Sequence, residues 1–190
     1  MGDVYLIRHG ETGWSAALRH TSYTDVGLTA AGERQAAALA TALAGHRFAA
    51  VLASPRRRAL RTAELAGLVV TDVDDRLSEW NYGEYEGITT AEIRQHRPDW
   101  VLWTDGAPGG ESPAQVGARL DAVLDRVRPL LAGGDVALVA HGHALRVLGA
   151  RWVGLPPSAG GLLGLDTATL SVLGFEHDRP VISRWNAPVT

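Results

Sequence analysis

A chain of 190 residues, 46% apolar and 21% charged, is long enough to bury a sizeable core and too apolar to stay disordered. Its net charge of −3 gives no attraction to nucleic acid or acidic membranes, and having no cysteine it excludes disulfides, thiolate metal sites and a cysteine nucleophile. No apolar run approaches the roughly 20 residues of a membrane span and the first is too short for a signal peptide, so a soluble, cytoplasmic protein is expected.

Residues 4–7 read as a short buried strand. Thr29 is placed to cap a helix over 30–45, rich in alanine and closed by Gly45. A second strand over 48–54 runs into Ser54-Pro55, and Pro55 suits the first turn of a helix over 56–67. A third strand is expected over 68–73. The stretch 77–111 is irregular and aromatic, with a short helix after Thr89, where Thr89 and Glu92 fit a capping box. Ser112-Pro113-x-Gln115 then opens a long helix over 114–134, in which Val116, Leu120, Val123, Leu124 and Val127 recur at helical spacing. Ser112 reads as its cap. A strong strand over 135–140 leads into His141-Gly142-His143 and a helix over 144–154. Two further strands, 167–175 and 180–185, close the chain. Alternating strands and helices predict an α/β layer fold with a largely parallel sheet, organised as one domain over 1–190. The Pro/Gly-rich 104–112 reads as a loop within it.

Three of these strands end alike: the first in Arg8-His9-Gly10, the second in Ser54-Pro55-Arg56, the fourth in His141-Gly142-His143. In an open α/β sheet ligands bind beyond the carboxyl ends of the strands, so Arg8, His9, the Arg56–Arg58 cluster and His141 are expected around one crevice. Alone, a histidine at a strand end is ordinarily structural and an arginine run is ordinarily a solvated helix face. Three such ends at equivalent edges point to an anion site instead, since guanidinium forks match phosphate oxygens and stay charged at any working pH. Zinc is the rival reading, with His9, His141 and a nearby glutamate as ligands. Like-charge repulsion between a dication and several arginines weighs against it.

The segments "LIRHGETGWS", "SPRRRALRTA", "LSEWNYGEYEG" and "VAHGHALR" resemble, in order, the four motif blocks of the histidine phosphatase superfamily in its phosphoglycerate mutase-like branch. That resemblance spans essentially the whole chain. It implies a three-layer α/β/α sandwich and a metal-free, cofactor-free phosphoryl transfer through a phosphohistidine. Carried over by position, His9 is the nucleophile, Arg8, Arg58 and His141 hold the phosphate, and Glu79 is the acid/base, with Glu84 and Glu86 as substitutes. Ser15, Thr21, Gly142 and His143 would touch phosphate or substrate. Ser15 stands where the family commonly has Asn, and Thr21-Ser22 where its mutases carry Ser/Thr-Gly. His143 follows Gly142 where many members have Gly or Asn, so it either meets substrate or caps the next helix.

The chemistry fits these roles. Imidazole attacks phosphorus only when neutral, and neighbouring arginines disfavour the imidazolium. Preorganised cations, including a protonated or donor His141, would stabilise the charge on the equatorial oxygens. Glu79 would protonate the leaving alkoxide and then accept a proton from water. Trp80, Tyr82, Tyr85, Trp100 and Trp103 read either as the packing of a lid over the crevice or as a substrate-stacking surface.

Three functional classes follow: a phosphomonoesterase, a mutase and a non-catalytic phospholigand-binding module. The complete set of catalytic residues disfavours the third. Family mutases carry a longer insertion after the acid/base segment, and a short lid excludes water poorly, which favours hydrolysis. The middle and last blocks also resemble small acid-phosphatase-like and sugar-bisphosphatase-like members. The expected partner is a small phosphorylated metabolite, with no nucleic acid and no membrane. A homodimer stays open.

Overall fold

The computed structural model describes residues 1–189. Six strands form one sheet: β1 (Val4–Arg8), β2 (Phe48–Ala53), β3 (Asp72–Val73), β4 (Asp135–Ala140), β5 (Leu170–Glu176) and β6 (Arg179–Ala187). Their order across the sheet is β3-β2-β4-β1-β5-β6. The first four run parallel to one another, whereas β5 is antiparallel to β1 and β6 antiparallel to β5.

Both faces of the central strands are covered, which is why they read as unbroken apolar runs rather than alternating ones. Val4, Leu6, Leu52, Val136 and Leu138 pack towards α6 (Pro113–Val127) and α7 (Gly142–Trp152). Ile7, Val51, Ala53, Ala137 and Val139 pack towards α2 (Ala30–Ala42) and α3 (Arg57–Leu65). The result is the expected three-layer α/β/α sandwich. Three short helices, α1 (Gly13–Ala16), α4 (Thr90–His96) and α5 (Leu102–Asp105), lie in the connecting segments.

Several boundaries differ from the sequence reading, each for a local reason. Only Asp72–Val73 of the expected third strand pairs, because this is the sheet edge and Val69 and Val73 are exposed. The long helix stops at Val127 and tightens into a 3₁₀ turn over Arg128–Ala132, where Pro129 supplies no N–H for the helical ladder. α3 begins at Arg57 rather than at Arg56, two residues after Pro55. α7 starts at Gly142, earlier than expected, with His141 as its N-cap residue. The capping boxes at Thr89 and Ser112 form as read.

One backbone contact fixes the segment after β1. A Cβ on Gly32 would lie 2.0 Å from Glu11 O, and a Cβ on Gly10 would lie 2.4 Å from Gly32 O. The start of α2 is thus pressed directly against the His9–Glu11 turn. Thr62 Oγ1 accepts Gly10 N–H at 3.0 Å and donates to Arg58 O at 2.7 Å, tying the same turn to α3. Gly32→Ala should therefore destabilise the fold at the upper end of the overpacking range, about 3 kcal/mol, because backbone rather than a flexible side chain must yield. A urea titration of the variant checks this.

Candidate active site

Strand register assembles the site. Arg8 pairs with Ala140 and Ala53 with Val139, so His9, Ser54 and His141 emerge side by side at the carboxyl edge. The ladder continues one step further, with His9 N–H on Ala140 O at 3.0 Å and Ser54 N–H on Val139 O at 2.9 Å. Beyond this edge lies a cavity of about 730 Å³ whose wall includes Arg8, His9, Ser15, Thr21, Glu79, Gly142 and His143. Arg58 and His141 are not on that wall. They form a layer behind His9, with the His9 and His141 rings 5.1 Å apart and near edge-on.

His9 is only 6% exposed. Its Nδ1 lies 2.8 Å from Gly10 O, and a carbonyl can only accept, so the ring proton sits on Nδ1 and Nε2 keeps its lone pair. Burial, then Arg8 and Arg58, push its pKa well below 6.5, against a smaller upward pull from the Gly10 hydrogen bond. His9 is therefore a neutral imidazole with one nucleophilic nitrogen. Arg8 Nη1 donates to Leu165 O, while its buried Nε has no partner. A Cβ on Gly142 would come within 3.2 Å of the Arg8 guanidinium, so glycine there lets Arg8 lie along the first turn of α7.

Arg58 is fully buried and spends its donors on protein: Nε on His141 Nδ1 at 3.2 Å, Nη1 on Thr24 O at 3.1 Å, Nη2 on Thr21 O at 3.2 Å and on Ser22 O at 3.1 Å. Because guanidinium only donates, His141 Nδ1 must accept, which leaves the ring proton on Nε2, 2.7 Å from Ser54 Oγ. Burial, followed by Arg58, His9, Arg56 and Arg8, holds the His141 pKa well below 6.5. Of the two forms expected for His141, protonated or neutral donor, these bonds fit the neutral one, and its single ring proton is directed to Ser54. With both ring nitrogens engaged, His141 has no lone pair for zinc. Among the described residues no group of three His, Asp or Glu side chains could hold a metal ion.

Glu79 caps α7. Its Oε1 accepts Trp80 N–H and Ala144 N–H, each at 2.8 Å, and its Oε2 accepts His143 N–H at 3.0 Å. The capping alternative for His143 therefore falls to Glu79. The His143 ring faces the cavity instead, with Nδ1 2.5 Å from Tyr82 Oη. Glu84 is exposed and Glu86 is bound to the loop that Arg58 also holds, through Ser22 N–H, Ser22 Oγ and Thr24 N–H. Neither lies on the cavity wall.

Ser15 Oγ donates to Thr12 O at 3.0 Å and accepts Thr12 N–H at 2.9 Å, so its hydroxyl proton is committed to the α1 cap. Thr21 Oγ1 is likewise committed, to Arg19 O at 3.0 Å. Of the aromatic set, Tyr82, Trp100 and Trp103 reach the wall, while Trp80 packs behind Trp103 and Tyr85 behind Trp100. Sequence reasoning missed His20, Arg19, Arg94 and Arg146, which also line the cavity. Arg146 was readable as the helical neighbour of His143 at i+3; Arg19 and Arg94 carried no periodic signal. Arg19 donates to Gly87 O, Arg94 to Trp100 O, and Arg146 to Gly160 O and Gly161 O.

A family model described as "Histidine phosphatase superfamily (branch 1)" matches residues 4–188. An acid phosphatase of Mycobacterium tuberculosis is 47% identical over 177 residues, covering 92% of this chain and 87% of that protein. Sedoheptulose 1,7-bisphosphatase of Saccharomyces cerevisiae is 34% identical over 181 residues, covering 79% of this chain and 67% of its own. A solved structure of a functionally characterised open reading frame of M. tuberculosis superposes with a TM-score of 0.96 at 42% identity, covering 100% of this chain and 99% of the other.

Two outcomes follow from this geometry. Arg57 is exposed and Arg58 buried, so Arg58→Ala, which orphans three carbonyls, should lower the unfolding free energy by about 3 kcal/mol or more. Arg57→Ala should stay within about 0.5 kcal/mol in the same urea titrations. Secondly, burial is the leading cause that depresses His9, His20, His141 and His143 below 6.5, with His20 at about 4. Unfolded histidines bind protons below about pH 6.5, where the folded ones do not. Stability should be full above about pH 6.5 and fall as the pH drops towards 4, by about 1.4 kcal/mol per pH unit for each unprotonated histidine. His20→Gln should flatten that slope by roughly one proton between pH 4.5 and 6.

Proposed function

The chain belongs to branch 1 of the histidine phosphatase superfamily, and from that premise we propose that it hydrolyses small phosphomonoesters through a phosphohistidine on His9, with no metal. The observation that carries the reading is the tautomer of His9: a neutral ring, proton fixed on Nδ1 by Gly10 O, Nε2 free, on the wall of a cavity shared with Arg8 and Glu79. The names of the relatives, an acid phosphatase and a sugar bisphosphatase, agree with ester hydrolysis.

In the first step Nε2 of His9 attacks phosphorus and the P–O bond to the alcohol breaks, its electron pair leaving on the alcohol oxygen. That oxygen takes a proton from the Glu79 carboxyl. In the second step water attacks phosphorus, gives a proton to Glu79, and the P–N bond breaks to return neutral His9 and inorganic phosphate. Arg8, which lines the cavity beside His9, supplies positive charge to the phosphoryl oxygens. Arg58 acts one layer back: its charge disfavours imidazolium at His9, and its bonds hold His141 and the 21–24 loop. Because His9 stays neutral well below pH 6.5, the acid limb of the rate profile should not reflect an ordinary histidine.

Glu79 accepts three backbone N–H groups, those of Trp80, His143 and Ala144, and its Oε2 keeps one lone pair that can carry the proton. The same carboxyl that moves the proton therefore sets the position of His143 and Gly142 relative to Arg8. Acid/base chemistry and the geometry of the phosphate floor are coupled through one side chain.

Rapid quenching of the enzyme with an isotopically labelled phosphomonoester in EDTA should trap acid-labile phosphate on His9, and His9→Ala should trap none. Release of inorganic phosphate at the rate of phosphoenzyme decay marks a phosphatase. Transfer of the label to an added sugar acid faster than to water would instead mark a mutase. Label on any other residue, or turnover by His9→Ala, would overturn the proposal.

A further inference from the structure

Glu79 sits on a stretch of chain with no regular structure of its own. Residues 79–82 lie in neither helix nor strand, between the 3₁₀ turns Asp75–Leu77 and Gly83–Tyr85. Buried main chain must still place its polar groups somewhere. Here they go to two residues that the mechanism does not use. Arg119, on α6, donates through Nη1 to Arg76 O at 2.6 Å and to Ser78 O at 2.8 Å, and through Nη2 to Glu79 O at 3.4 Å. Glu111 accepts Asn81 N–H on Oε2 at 2.9 Å, and its own N–H donates to Asn81 O at 2.9 Å. Glu111 O also accepts the indole N–H of Trp80 at 2.9 Å, and Trp80 is fully buried. The chain is thus gripped on both sides of the Glu79 side chain.

The two side chains are also locked to each other. Arg119 Nε and Nη2 meet Glu111 Oε1 and Oε2, each at 2.8 Å, in a bidentate pair whose members are only 18% and 19% exposed. All five N–H donors of the guanidinium are therefore in use, a pattern that the three donors of a lysine ammonium cannot reproduce. Gly110 lets the loop come this close, since a Cβ there would lie 2.2 Å from Asn81 O. Neither Arg119 nor Glu111 lies on the cavity wall, so neither touches the ester. We propose that the Arg119–Glu111 pair is a positioning device for the acid/base: it fixes the main chain around Glu79 so that the carboxyl stays on the α7 N–H groups and within reach of the ester oxygen. This rests on the reading of Glu79 as the acid/base and adds two residues that act through it.

The test separates proton transfer from the rest of the reaction by the choice of leaving group. Glycerol phosphate expels a basic alkoxide that needs a proton, whereas p-nitrophenyl phosphate expels a phenolate that departs without one. Phosphorylation of the enzyme is followed for both esters in single-turnover quench experiments, because slow dephosphorylation hides the difference at steady state. Arg119→Lys should slow the glycerol ester by about tenfold or more relative to the aryl ester, with the half-saturating substrate concentration changed by less than about twofold. Glu111→Gln, which keeps one oxygen for Asn81 N–H, should act in the same direction to a smaller extent, and it carries the test if Arg119→Lys does not fold. In a Glu79→Gln background, where the side chain holds no proton to transfer, neither substitution should slow the glycerol ester by more than about a further twofold. Equal slowing of both esters, or a full additional loss on top of Glu79→Gln, would overturn the proposal. If Glu79→Gln discriminates between the esters and the pair's variants do not, the positioning role alone fails. If Glu79→Gln itself slows both esters alike, the acid/base reading of Glu79 fails and the positioning role falls with it.

Discussion

The site depends on a buried positive charge that no carboxylate hydrogen-bonds, Glu79 and Asp25 acting on it only at a distance. Arg58 is wholly inside the protein and makes four hydrogen bonds, three to main-chain carbonyls and one to an imidazole, and none to a carboxylate. An isolated buried charge is costly, and each carbonyl dipole aimed at it repays part of that cost. A carboxylate would have neutralised it more cheaply and removed its effect on the neighbours. As built, burial first and then this charge, with Arg8, hold His141 and His9 towards the neutral form, and the carbonyl bonds hold the loop 21–24 in place. Glu86 grips the same loop from the other side, so the segment is clamped between a cation and an anion.

Much of this was legible in the sequence because it rests on local signals. Strands ending in Arg8-His9-Gly10, Ser54-Pro55 and His141-Gly142 announced a common edge, and parallel pairing in register made it one. The sandwich followed from alternation of strand and helix. Glu79 was identified through motif likeness, and the structure places it in the cavity wall with Glu84 and Glu86 outside. What could not be read was which atoms each group engages. Ser15 and Thr21 lie at the wall, yet their hydroxyl protons are used by nearby carbonyls, a competition that residue spacing does not reveal.

The position of Arg58 illustrates the same boundary. Residue type and motif bring it to the site, but only side-chain packing decides whether it stands on the cavity wall or one layer behind. Likewise the tautomer of His141 follows from a single donor, Arg58 Nε, contributed by a residue 83 positions away. The edge strand β3 failed to extend for a related reason: apolar residues favour a strand only where a partner or a second layer covers them, and Val69 has neither.

The four arginines of the cavity wall face a single carboxylate, Glu79, on a protein whose overall charge is −3. Far from the surface an approaching phosphate ester meets weak repulsion, which salt screens over about 8 Å at physiological ionic strength. Within that range the local cavity field takes over and has the opposite sign. Capture is thereby steered to one mouth, and its rate should fall as ionic strength rises even though the molecule as a whole is acidic. The field does not distinguish ester from product, so inorganic phosphate leaves against the attraction that drew the substrate in. The charges that speed capture therefore also slow the escape of the product anion.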